Sequence, residues 1–343
     1  MPNKKIYMYA ARITGTILAL AVIGAAAIVG TAIYLNAPPP LSETTRTRIE
    51  IREGESAAAA GRQLAAAGLI KSAHFWTLIT RIQKEHIKTG VYTIPAPISA
   101  LAIYAILKTG KQENQPVTIP EGSTIKKTAA IWAAADICDA DAFIKAAESA
   151  EIAAQYNIPA ATMEGYLYPD TYNVPPRYDA EKLVHLMVRT FFKRLAEIEP
   201  AATLSPGELH RAVTLASIVE REYRVASEAP LIAGVFQNRM ERGMRLESCA
   251  TVEYIITEIQ NKPHPKRLYT RDTQIENPYN TYTNRGLPPG PIASPGAVAL
   301  RAALNPQPSE YLFFRLVDSS AGKHYFSRTL DDHIKAAALL VKG

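Results

Sequence analysis

From Ile13 to Leu35 the chain runs for 23 residues without a charged side chain. As a helix rising about 1.5 Å per residue, that run is about 34 Å long, enough to cross the hydrocarbon core of a bilayer. Ala25, Ala26 and Ala27 offer small residues of the kind found at signal cleavage sites, but the apolar part of a secretory signal is shorter than this. The run therefore reads as a retained transmembrane helix over residues 13–35. Lys4, Lys5 and Arg12 precede it, and Asn36, Ala37 and Pro38-Pro39-Pro40 follow. The excess of positive charge on the near side puts residues 1–12 in the cytoplasm as a short tail and everything beyond about residue 36 on the far side of the membrane.

Residues 36–46, rich in Pro, Ser and Thr, read as a linker. Beyond it one pattern occurs twice. Ile49-Glu50-Ile51-Arg52-Glu53-Gly54-Glu55-Ser56 and Val117-Thr118-Ile119-Pro120-Glu121-Gly122-Ser123-Thr124 each show an alternating apolar strand, Glu-Gly, and a polar residue opening an Ala-rich helix. The glycine allows a sharp turn, and Ser56, Ser123 or Thr124 can accept hydrogen bonds from the free amides of the helix that follows. In the first unit, residues 47–116, the pattern predicts a second helix over 72–85, a strand over 90–94 and a helix over 98–109. This small α/β module loosely resembles a LysM-like carbohydrate-binding module across its opening residues. The second unit, 117–343, is expected to hold helices at 125–134, 140–150, 180–198 and 206–223, strands at 311–317 and 324–326, and a long structured loop over 277–295, which is dense in Asn, Tyr, Thr, Gly and Pro. The fold class is α+β.

The net charge of +6 is spread along the chain, with no nucleic-acid signature. Cys138 and Cys249 are far apart and belong to no CxxC or Cys/His spacing, and none of the seven histidines shows His-Glu-x-x-His spacing, so neither a zinc site nor a metalloamidase is indicated. Two free thiols are expected.

In the helix 210–223, taking about 100° per residue, Ala212, Leu215, Ile218 and Val219 share one apolar face. Glu222 then points with Leu215 and Ile218, and Glu220 stands at the margin of that face. The two acids diverge by about 160° and cannot act together on one substrate as paired carboxylates. An acid at an apolar margin can have its pKa raised by burial and still meet a substrate oxygen, as Glu220 would. Glu220 can equally pair with Arg224, four residues on, and Glu222 can be satisfied by Arg239 or Arg245.

Leu215-Ala216-Ser217-Ile218-Val219-Glu220-Arg221-Glu222, Val235-Phe236-Gln237-Asn238-Arg239, Gly243-Met244-Arg245-Leu246, Tyr279-Asn280-Thr281-Tyr282 and Gly286-Leu287-Pro288-Pro289-Gly290-Pro291-Ile292 together resemble the endolytic murein transglycosylase, or YceG-like, family. Glu164-Gly165-Tyr166-Leu167-Tyr168-Pro169-Asp170-Thr171-Tyr172 matches a further signature of that family. The resemblance runs from about residue 48 to 335. It implies a catalytic domain at 117–343 that cuts nascent peptidoglycan strands at the bond between N-acetylmuramic acid and N-acetylglucosamine, leaving 1,6-anhydro ends and limiting strand length. It also implies a single acid/base, Glu220, and no cofactor or metal. Asn280, Tyr282, Asn238 and Tyr168 are the expected sugar-binding residues, with Asn284 beside them. Expected surroundings are the bacterial inner membrane, periplasmic glycan strands and, by family analogy, peptidoglycan synthases. After Met244-Arg245-Leu246 the family reads Gln-Ser-Asp-Pro-Thr, where this chain has Glu247-Ser248-Cys249-Ala250-Thr251. That departure brings rate and substrate preference into question. A non-catalytic peptidoglycan-binding scaffold and a muramidase that hydrolyses the same bond remain the alternatives.

Overall fold

The computed structural model describes residues 4–40, 45–52, 54–83, 86–110, 114–198 and 204–339. Residues 1–3 of the expected tail, 41–44 of the expected linker and Glu53 of the first Glu-Gly turn lie outside them. The chain is α+β and divides into two compact units, Met1–Asn114 and Gln115–Gly343.

The first unit opens with α1 (Lys4–Asn36), whose segment Arg12–Asn36 is long and apolar enough to span a bilayer and is not buried by protein. Then come β1 (Thr45–Ile51), α2 (Ala57–Ala66), α3 (Ala73–Gln83), β2 (Gly90–Ala96) and α4 (Ala100–Thr109). β1 and β2 form an antiparallel pair with Ile49 opposite Tyr92. The two-residue period of β1 sends Ile49 and Ile51 into a core with Leu64, Trp76, Ile94 and Ile103. The Ser56 hydroxyl accepts the Ala59 N–H and starts α2. Gly61 lets α2 approach α3 closely, because a Cβ there would press on the Trp76 indole. The end of α1 is tied to this unit: Lys71 Nζ lies 4.1 Å over the Tyr34 ring and donates to the Tyr34 carbonyl at 3.0 Å, and the Leu101 N–H donates to Asn36 Oδ1 at 3.0 Å.

In the second unit β3 (Gln115–Thr118) pairs antiparallel with β4 (Thr171–Val174), Val117 opposite Tyr172. Between them lie α5 (Ile125–Ala134), capped by Thr124, α6 (Ala140–Ala147) and α7 (Ala150–Gln155). α8 (Ala180–Ala196), α9 (Pro206–Glu222), α10 (Ala229–Glu241), α11 (Cys249–Tyr254) and α12 (Ala297–Leu304) follow, then the hairpin of β5 (Phe313–Asp318) and β6 (Lys323–Ser327) and finally α13 (Leu330–Lys335). As the Asn/Gly/Pro composition predicts, the segment between α11 and α12 is mostly irregular, and residues 277–295 form no helix or strand.

α9 organises this unit. Pro206 occupies its first turn, and Ser205 and Glu208 close a reciprocal capping box. One apolar face is expected from its sequence, but Val213 through Val219 are all buried, Thr214 and Ser217 included. A helix buried all round is a core helix and not a surface one. α10, α11 and α12 pack against it. The two buried hydroxyls are satisfied locally, Thr214 donating to the His210 carbonyl and Ser217 to that of Thr214.

Candidate active site

α9 ends in Glu220-Arg221-Glu222, and at about 100° per residue the three side chains leave the last turn in three directions. Glu220 Oε2 accepts the Gly296 N–H at 2.9 Å and Oε1 the Tyr223 hydroxyl at 3.5 Å. Burial pushes its carboxyl up to about 7, the Gly296 N–H opposes that rise and the neighbouring Glu121 carboxylate adds to it. Arg221 pairs with Glu253 at 2.9 Å.

Glu222 faces elsewhere. Its Oε1 accepts the Ser248 hydroxyl at 2.5 Å, and it lines a cavity of about 380 Å³ with Ser248, Cys249, Tyr282, Arg239 and Phe313. That volume is within the range of small-ligand sites, about 300–1,000 Å³. Burial raises the Glu222 carboxyl above its ordinary range, with the Ser248 hydrogen bond pulling it back and Glu253 adding to the rise. A carboxylic acid whose hold on its proton is strengthened by burial, on the wall of an open cavity, is fitted to donate that proton to a bound oxygen.

Two loops bring the cavity together. Thr281, buried, joins them: its hydroxyl accepts the Ser248 N–H at 3.0 Å and meets the Thr251 hydroxyl at 2.9 Å, and its carbonyl accepts the Glu247 N–H. This holds Ser248 and Cys249 at the start of α11 beside Tyr282, whose hydroxyl is 3.1 Å from Cys249 Sγ. Arg239 braces the opposite wall. It is buried, donates to the carbonyls of Leu312, Arg245 and Leu246, and lies 4.9 Å from the Phe313 ring.

The sequence expectations separate at this site. The geometry presents Glu222 to the cavity, whereas Glu220 does not line it. Glu220 meets Gly296 and Tyr223 instead of Arg224, and Glu222 is satisfied by Ser248, because Arg239 is occupied by carbonyls and Glu247. Of the expected sugar-binding residues only Tyr282 lines the cavity. Asn280 is fully buried and its amide donates to the Thr273 and Ile275 carbonyls; Asn284 likewise braces its own loop. Asn238 donates to the carbonyls of Ser309 and Tyr311, fastening α10 to the chain before β5. Tyr168 is buried in the core, where its carbonyl accepts the Tyr172 hydroxyl. Both cysteines are free thiols. The departure at Cys249 falls in the Glu222 cavity. Phe313, Phe314, Arg315 and His333 also reach this cavity, and nothing in their sequence spacing marks them, since a strand with inward aromatics reads as core.

Residues 49–338 match the model of the YceG-like family. The chain is similar to an endolytic murein transglycosylase of Streptococcus pneumoniae, 27% identical over 93% of this chain and 63% of that protein. It is also similar to one of Bacillus subtilis, 34% identical over 51% of this chain and 47% of that protein. It thus spans less than two thirds of the length of these relatives. Among solved structures it resembles that of a yceG-like protein from Listeria monocytogenes, with a TM-score of 0.57, 29% identity and coverage of 85% of this chain and 99% of the other.

Proposed function

The chain belongs to the YceG-like family, and from that premise we propose that it is an endolytic lytic transglycosylase of peptidoglycan with Glu222 as its acid/base. The observation that carries this reading is the Glu222 carboxyl on the wall of the 380 Å³ cavity, its pKa raised by burial and its orientation set by Ser248. Glu222 would protonate the glycosidic oxygen between N-acetylmuramic acid and N-acetylglucosamine. As the C1–O bond breaks, the resulting carboxylate takes the proton of the muramyl C6 hydroxyl while that oxygen closes on C1. The product is a 1,6-anhydro end, no water is consumed, and the carboxyl finishes protonated. One carboxylate suffices, which agrees with the divergence of the two acids of α9. Tyr282 and Phe313 supply aromatic surface against which a sugar ring can pack.

Glu220 is the second reading, favoured by a carboxyl held up to about 7 and only partly buried. Residues 13–35 would anchor the enzyme in the bacterial inner membrane, N-terminus inside, with 117–343 as the catalytic domain beside nascent strands and their synthases. Residues 47–116 would act as a LysM-like module holding glycan.

The test uses the full chain in detergent on uncrosslinked glycan strands, comparing wild type, Glu222→Gln and Glu220→Gln by the masses of released muropeptides. Anhydro-ended products from wild type and Glu220→Gln, and none from Glu222→Gln, are expected. Loss in Glu220→Gln alone would move the chemistry to Glu220, products heavier by one water would make the enzyme a hydrolase, and no product from wild type would leave a binding scaffold.

A further inference from the structure

A second cavity, of about 420 Å³, lies at the same end of α9. Consecutive residues separate the two. Arg221 lines the second cavity and Glu222 the first, while in α11 Ala250 and Glu253 line the second and Cys249 the first. The α9–α11 junction is therefore a partition with the acid on one side.

The lining of this second cavity carries both signs of charge. Arg221 is paired with Glu253 at 2.9 Å, and His264 approaches the same carboxylate at 3.4 Å. Lys127 and Glu258 also line it, and neither side chain has a hydrogen-bond or ion-pair partner among the described residues. The adjacent Lys126 is engaged with the Glu258 carbonyl and the Asn261 side chain, so Lys127 is the cation of this helix turn left for a ligand. Tyr254 and Ile292 supply apolar surface.

We propose that this second cavity binds the peptide branch of the glycan substrate, a short acidic peptide that also bears an amine, with Lys127 taking a peptide carboxylate and Glu258 the amine. The proposal rests on the glycan-cleaving reading and deepens it. Sugars of the strand are neutral polyols that hydrogen-bond and stack, whereas unpaired lysine and glutamate across one cavity complement a ligand carrying both charges. The peptide branches from the lactyl group of the muramyl residue, the residue that undergoes the reaction, so its binding site must lie beside the acid and not in line with it. Three extended residues span about 10 Å, which a cavity of this size accommodates. If Glu220 is the acid, the second cavity still lies beside it, because Gly122, which lines that cavity, is next to both Glu220 and Arg221.

The experiment compares the full chain in detergent on peptide-bearing strands and on the same strands stripped of peptide by an amidase, for wild type, Lys127→Glu and Lys127→Arg. Titration calorimetry with the free tripeptide branch accompanies it. Wild type is expected to cut peptide-bearing strands with at least 10-fold higher kcat/KM, expressed in KM. Lys127→Glu is expected to lose that preference and tripeptide binding with an unchanged melting temperature, and Lys127→Arg to retain both. Equal kcat/KM on the two substrates by wild type, or a preference intact in Lys127→Glu, would overturn the proposal. If wild type cuts neither strand the cleavage reading fails by itself; tripeptide binding lost in Lys127→Glu would still support the peptide site, and no binding would overturn it.

Discussion

The Ser248 hydroxyl donates to Glu222 Oε1 at 2.5 Å across the junction of α9 and α11. This bond favours the ionised carboxylate, while burial favours the neutral acid. The balance between them sets the pH at which the acid loses its proton.

Removing the hydroxyl tips that balance. A hydrogen bond to a charged group contributes about 1.5–3 kcal/mol, which corresponds to about one to two pKa units. In the proposed mechanism the reaction starts from protonated Glu222, so activity is expected to fall as pH rises through its raised pKa. Ser248→Ala raises that pKa further, and the alkaline limb of the kcat/KM profile should move up by about one unit, with kcat several-fold lower from the less fixed carboxyl. A limb that stays in place would separate Ser248 from the acid.

Cys249 offers a second control of the same group. Its thiol faces Tyr282, and the charge of Glu222 is felt at it. Cys249→Asp adds a like charge to the cavity and disfavours ionisation of Glu222, so the alkaline limb should again move upward, by about one unit. Cys249→Ser, which keeps a small hydrogen-bonding group beside Tyr282 and adds no charge, should leave the limb unmoved. The measurement is the pH profile of anhydro-product release for the three proteins.

Glu164 is buried, accepts the Ile125 N–H at 3.2 Å through Oε2, and has no partner on Oε1 among the described residues. Burial pushes it up to about 8, above the ordinary 4.5. The folded chain thus binds this proton more tightly than the unfolded one. The resulting stability is fully present below pH 4.5 and is lost as pH rises toward about 8. Glu164→Gln cannot ionise, so thermal melts between pH 5 and 9 should decline less steeply for the variant than for wild type. Parallel curves would refute the assignment.

Gly234 stands where α10 meets the chain before β5, and a Cβ there would fall on the Gln307 carbonyl oxygen, a backbone atom that cannot swing aside. The Gln307 N–H is itself bonded to the Pro230 carbonyl at 2.9 Å. Gly234→Ala should lower stability by about 1–3 kcal/mol, read from chemical denaturation. Asn238, one helical turn on, fastens the same segment, so Asn238→Ala should lower stability without changing KM for glycan.

Much of this architecture is legible from residue patterns. The apolar run, the helix caps Ser56 and Thr124, and the start of α9 at Ser205-Pro206 are local signals that tertiary packing leaves intact. β4 escapes such reading because four residues alternating as Thr171-Tyr172-Asn173-Val174 are too few to reveal a period. α12 lies in a stretch of small residues that offers little amphipathic contrast. In the site, the carboxylates of α9 are plain in the sequence, but their surroundings are not, because residues 213–219 are buried on every side. Wheel geometry assumes one wet face, and this helix has none over that stretch. Asn238 and Asn280 mislead for the opposite reason. A polar loop or helix residue can face a ligand or a neighbouring carbonyl, and only the fold decides which.

The enclosure of α9 has a further consequence for how this site can vary. A surface helix can rotate about its axis or slip by a residue while its wet face absorbs the mismatch. α9 has no such freedom over 213–219, because α10, α11 and α12 fix its rotation. Its angular phase is thereby locked, and a displacement of one residue would turn each acid by about 100°, swinging Glu222 out of its cavity. Insertions within the helix are therefore excluded, whereas the loops that carry Ser248 and Tyr282 can change. Cys249 adjoins such a loop, beside Tyr282, so a change there alters the surroundings of the α9 acids without turning the helix that carries them.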